Sequence, residues 1–111
     1  PVWNMLLIHV TSADENECGS AAQRVHDTAA QMISHIEKSQ SPDDRHQIQL
    51  IGPADATIAK VNDIYRKVIY MKTSDYAALI SVKDGIEQAV KADTAMKNAN
   101  ISFDFNPMSG F

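Results

Sequence analysis

Hydrophobic positions change spacing several times along the chain, and each change marks an element. Met5 to Val10 is a short apolar run interrupted only by His9 and ending at Thr11-Ser12, the pattern of a buried central strand. Ser12-Ala13-Asp14-Glu15 has the S-x-x-E form of a capping box, which places a helix start at Ser12. Asp14, Glu15 and Glu17 favour the positive end of that helix's dipole. Cys18, Ala22, Val25, Ala29, Met32, Ile33 and Ile36 then recur in steps that put them on one face. Ser39 to Arg45 combines turn formers with charge and reads as an exposed connector. Ile48 to Ile51 predicts a second strand, Gly52-Pro53 a break, and Ala54 to Asn62 a loop or short helical turn.

Ile64, Tyr65, Val68, Ile69 and Tyr70 favour a third strand over 64–73, because β-branched and aromatic side chains pack well on a pleated surface. Thr73 or Ser74 caps a second helix with Leu79, Val82, Ile86 and Val90 on its inner stripe, ending near Asn98 to Asn100. Strict alternation over Ile101 to Asn106 predicts the last strand, stopped by Pro107. The order is β-α-β-β-α-β, the split β-α-β arrangement of an α+β, ferredoxin-like domain. It implies a four-stranded antiparallel sheet with both helices on one face and the other face open. With Leu6, Ile8 and Val10 directed at the helices beside Ile69, Met71, Phe103 and Phe105, pleat alternation sends Trp3, Met5, Leu7, Val68 and Tyr70 to the open face. An apolar surface of that kind usually marks a covering partner.

A chain of 111 residues, 44% hydrophobic and 22% charged, is expected to form a single domain over 1–111 with one core. It has no apolar run near the roughly 18 residues that cross a bilayer and no signal-peptide pattern at its start, so no membrane partner is expected. The lone Cys18 fits a reducing, cytoplasmic setting. Because Pro1 leads directly into strand-like residues, we expect a piece of a longer protein.

Chemistry-bearing motifs are sparse. His9, His26, His35 and His46 show no metal-ligand spacing, and no phosphate-binding or dinucleotide-binding glycine motif occurs. A catalytic site, a metal and a cofactor are therefore not expected in this chain. Charge is more telling. Segment 60–72 holds Lys60, Arg66, Lys67 and Lys72 against Asp63, a local +3 within a chain of net charge −4. Tyr65 and Tyr70 are interleaved with these cations, the combination that suits phosphates and unstacked bases, although ordinary solvated lysines on a strand give the same pattern. In an acidic domain any such contact is local and weak.

Leu50-Ile51-Gly52-Pro53-Ala54-Asp55-Ala56-Thr57-Ile58-Ala59-Lys60-Val61, then Ile64-Tyr65-Arg66-Lys67-Val68-Ile69-Tyr70-Met71-Lys72, resembles the C-terminal domain of primosomal protein N′ (PriA), the bacterial replication-restart helicase. The closing Ile101-Ser102-Phe103-Asp104-Phe105-Asn106-Pro107 and the opening Pro1-Val2-Trp3 fit the same pattern, so the similarity runs over essentially the whole chain. Asp55 and Thr57 depart from the family's proline-rich turn, and Ser74-Asp75-Tyr76 lacks a basic residue that some members carry.

The resemblance implies a ribosomal-protein-like fold and a DNA-binding, domain-docking module at the end of an ATP-dependent 3′-5′ DNA helicase that assembles primosomes at stalled forks. ATP, magnesium and zinc would belong to the parent protein. Its implied partners are branched and single-stranded DNA, the helicase core, and the tail of single-stranded-DNA-binding protein. Position by position, Gly52 and Pro53 match the turn, Lys60 the basic residue, Tyr65 and Arg66 the aromatic-Arg pair, and Asp104 and Pro107 the terminal motif. Candidate DNA contacts are Lys60, Tyr65, Arg66, Lys67 and Lys72, and the candidate docking face is Trp3, Met5, Leu7 and Tyr70. Two structural alternatives stand beside these: Arg66 pairing with Asp104 across neighbouring strands, and Tyr65 serving the core. At the level of function, the alternative is a protein-protein interaction domain that docks on the helicase core without touching DNA.

Overall fold

The computed structural model of the chain describes residues 3–40 and 47–107, the side chains of 57–61 excepted. His46 and most of the connector lie outside the described residues. The elements run β1 (Asn4–Ser12), α1 (Glu15–Ser39), β2 (Ile48–Val61), β3 (Ile64–Thr73), α2 (Tyr76–Ala92) and β4 (Ala99–Phe105), with a 3₁₀ turn at Thr94–Met96. The strands form one antiparallel sheet in the order β2-β3-β1-β4, the ferredoxin-like arrangement the spacing predicts.

One face of the sheet carries both helices. Leu6, Ile8 and Val10 of β1, Ile69 and Met71 of β3, Cys18, Ala22, Val25 and Ala29 of α1, and Leu79, Val82 and Ile86 of α2 form a continuous buried cluster. Each large aliphatic side chain withdrawn in this way contributes about 1.5–3 kcal/mol of transfer free energy.

Three boundaries differ from the sequence expectation. Ser12 does not cap α1, because β1 keeps it: its Oγ donates to the Asn98 carbonyl at 3.0 Å and accepts from the Asp14 amide at 3.2 Å. Asp14 caps instead, accepting from the Glu17 amide at 2.9 Å. Likewise Thr73 ends β3, and Asp75 caps α2 by accepting from the Ala78 amide. At the far end α2 stops at Ala92, and β4 begins at Ala99, two residues before the alternation becomes strict.

A fourth difference is larger. Residues 54–61 are strand, not a loop or helical turn, and Gly52-Pro53 is a kink within β2. Gly52 has φ +103, the Gly52–Pro53 bond is cis, and the ladder with β3 slips between Ile51 and Ala54 and again between Asp55 and Lys60. β2 is an edge strand, so Pro53 forfeits no ladder bond on its solvent side and the strand continues past it. Asn62 and Asp63, with φ 52 and 63, close the hairpin by the left-handed backbone that a two-residue turn requires.

Candidate interaction face of the sheet

Strand register fixes what the open face displays, because cross-strand partners point to the same side. Gln49, Lys72 and Met5 form one row, and Ile51, Tyr70, Leu7 and Asp104 the next. Ala54, Val68, His9 and Ser102 follow, then Arg66, Thr11 and Asn100. Trp3 precedes β1 and lies beside this surface, with Lys72 Nζ 5.3 Å from its ring centroid. The face thus has an apolar middle, with Lys72 and Arg66 toward opposite ends of β3.

The candidate docking residues do not all serve as surface. Leu7 is 1% exposed and Val68 2%, so both are packed although they sit on the open side. Met5 and Tyr70 are half-buried, while Trp3 is 40% exposed. The strongest apolar projection is Ile51 at 52%, which the sequence reading left out of the docking set. Its signal was available only through the register, since its place on this face follows from its pairing with Tyr70.

The structure also divides the candidate DNA contacts. Arg66 and Lys72 share the open face, but alternation sends Tyr65 and Lys67 to the helix side. Tyr65 packs against the buried cluster. Lys67 donates to Asp55 Oδ1 at 2.9 Å, and a methyl group added at Gly19 would lie 3.8 Å from its Cε, so the side chain runs along the start of α1. Burial raises the Cys18 thiol pKa, and the nearby Lys67 charge opposes that rise. Lys60 is opposite Tyr65 in the ladder, and its side chain lies outside the described residues.

Arg66 and Asp104 are not partners. β1 separates their strands, Arg66 facing Thr11 and Asp104 facing Leu7, four residues apart or roughly 13 Å along the strand. Gly52 and Pro53 form the kink described above. Pro107 follows β4, whose end is tied by the Asn106 amide donating to Met5 O at 2.7 Å and the Met5 amide donating to Asn106 Oδ1 at 2.8 Å.

Among the described residues no group of three or more His, Cys, Asp or Glu side chains is placed to hold a metal ion. None of the described helices is long and apolar enough to cross a membrane. Among the described residues both helices lie on the opposite face of the sheet, so the rings and cations of this face are left without a helix over them, an arrangement that suits binding.

Comparison with known proteins gives two results. A family model described as the primosomal protein N C-terminal domain matches residues 1–108. Similar solved structures include the de novo designed protein Foldit4, with TM-score 0.60 and 9% identity over 97% of this chain and 100% of that one. The designed ferredoxin-fold protein LFR1 1 gives TM-score 0.55 and 17% identity over 99% and 89%. A dimeric ferredoxin-like protein from an uncultured marine organism gives 0.54 and 8% over 93% and 92%. At such identities these likenesses concern the fold alone. No curated protein matches the chain.

Proposed function

The chain belongs to the primosomal protein N C-terminal domain family, and on that premise we propose that it is the DNA-binding and domain-docking module of a cytoplasmic replication-restart helicase. In this reading ATP hydrolysis, with its magnesium, and zinc binding reside elsewhere in the parent protein, and the helicase core covers part of this domain. Branched and single-stranded DNA are its nucleic-acid partners, and the tail of single-stranded-DNA-binding protein is a further one.

The observation that supports DNA contact is the joint display of Trp3, Lys72, Tyr70 and Arg66 on the uncovered sheet face. Stacking of a base on an exposed ring is worth about 1–3 kcal/mol, and a cation beside it meets the phosphate. Two cations neutralising two phosphates of a single strand give a salt slope of about −1.4 in log K against log salt. Binding is therefore weak and local, as a net charge of −4 requires. The role of Lys67 changes in this account: its ion pair with Asp55 makes it a strut for the β2–β3 hairpin.

Trp3 is the single tryptophan and reports on its own site. Titration with an oligothymidine at low salt is expected to quench its fluorescence, and Arg66→Ala with Lys72→Ala to abolish the quenching. Absence of quenching at low salt counts against DNA contact at this face.

The exposed Ile51 supports a second reading, in which the same face docks on the helicase core and never meets nucleic acid. Ile51→Asp then weakens association with the core while the oligonucleotide titrations stay blank.

A further inference from the structure

The two edges of the sheet are built differently. β2 is interrupted by Gly52-Pro53 and by two register shifts, features that discourage another strand from pairing there. β4 is regular from Ala99 to Phe105, contains no proline or lysine, and pairs with β1 without a shift.

Its hydrogen-bonding direction follows from the Asn106 amide donating to Met5 O. Antiparallel ladders alternate bonded and non-bonded pairs, so Asp104, Ser102 and Asn100 spend their backbone groups on β1. The amides and carbonyls of Ala99, Ile101, Phe103 and Phe105 consequently point out from the sheet edge. On the helix side, Glu87, Val90, Lys91, Ile101 and Phe103 line a groove of about 160 Å³ beside this edge. Lys83 lies over the Phe103 ring at 5.9 Å and is held by Glu87, so Phe103 is covered from above but open laterally.

We propose that β4 is a self-pairing edge, joining a second copy of this chain antiparallel about a twofold axis at Ser102. In this register Ile101 faces Phe103 of the other copy and Ala99 faces Phe105, each through outward amides and carbonyls. Every helix-side pair is apolar. On the open face Ser102 meets its own counterpart and Asn100 meets Asp104, so every pair there is polar and no like charges are opposed. A register centred on Ser102 also engages all seven residues of β4. The occupant is a second copy because one strand supplies both halves of a match in polarity, charge and hydrogen-bond parity. The result is a continuous eight-stranded sheet with two open faces side by side.

Sedimentation equilibrium of the 111-residue chain tests this, with far-UV circular dichroism as the folding control. The expected result is a concentration-dependent rise from the 12.2 kDa chain mass to twice that value. Ser102 is exposed, so Ser102→Lys leaves the fold intact while placing two ammonium groups opposite each other at the axis. It should weaken dimerisation at least tenfold. Ser102→Cys should form a disulfide-linked dimer on mild oxidation, since a non-bonded antiparallel pair holds its Cβ atoms about 4.5–5.5 Å apart, and Cys18 is buried. A single-chain mass up to millimolar concentration with no Ser102→Cys crosslink overturns the proposal. So does a dimer that Ser102→Lys leaves unchanged but Ile51→Asp dissolves. Should Ser102→Lys fail to fold, the crosslink decides alone.

Discussion

Replacing Gly52 by alanine tests whether the kink in β2 is required by backbone geometry. Gly52 has φ +103, a conformation that L side chains rarely adopt. A Cβ there would lie 2.8 Å from Val68 O, 3.3 Å from Ala54 N and 3.4 Å from Ile69 Cα. All three are backbone atoms of the β2–β3 ladder, so no side chain can swing aside. The backbone conformation alone costs about 1–3 kcal/mol. Relieving the Val68 contact sacrifices a ladder hydrogen bond, with a net cost of about 0.5–1.5 kcal/mol. A loss of about 2–4 kcal/mol is a large share of the roughly 5–15 kcal/mol that holds an ordinary domain together.

Urea unfolding followed by far-UV circular dichroism measures the effect, as a midpoint lowered by about 1–2 M for a typical slope. Gly19→Ala is the matched control. Its added methyl would meet only Lys67 Cε, at 3.8 Å, and alanine is the better residue inside a helix by about 0.5–1 kcal/mol. Gly19→Ala should therefore stabilise. A Gly52→Ala midpoint within 0.5 M of the parent would refute the reasoning.

Leu7 was expected on a docking surface, but at 1% exposure it belongs to the structure. Leu7→Ala should lower stability by about 2–4 kcal/mol in the same urea assay, whereas Ile51→Ala should change it little. Cys18 is buried and its thiol pKa is raised, which keeps the reactive thiolate scarce. Iodoacetamide at mildly alkaline pH should leave it unmodified until urea unfolds the chain, and rapid native labelling would contradict that placement. Asp55→Ala removes the partner of Lys67. If Lys67 is a strut, this change shifts stability by at most about 1 kcal/mol and creates no new DNA affinity.

The architecture was readable because spacing and fold agree at most positions. The spacing from Cys18 to Ile36 became the inner stripe of α1, buried as far as Ile33 with Met32 and Ile36 partly so, and the β-branched run at 64–73 became β3 with unchanged limits. Misreadings arose where one residue had two physical uses. Ser12 satisfies a capping pattern but finishes a strand, and Pro53 breaks interior strands but is tolerated at an edge. A local motif does not reveal which strand lies at the edge.

The site was less legible for the same reason. Lys67 and Lys72 look alike in a list of cations. Alternation in β3 sends the first to Asp55 on the helix side and the second to Trp3 on the open side. Local charge and family resemblance singled out the segment as a candidate, and only the register told its cations apart.

The proposed DNA contact runs through Arg66 and Lys72 on the open sheet face. Fluorescence anisotropy of a labelled fork and a labelled single strand, at two salt concentrations, tests it most directly. The account predicts weak, salt-sensitive binding that Arg66→Ala with Lys72→Ala removes and that Lys67→Ala leaves within about twofold, since that lysine is already paired. Binding lost with Lys67→Ala but retained in the double variant would contradict it, as would no binding at low salt.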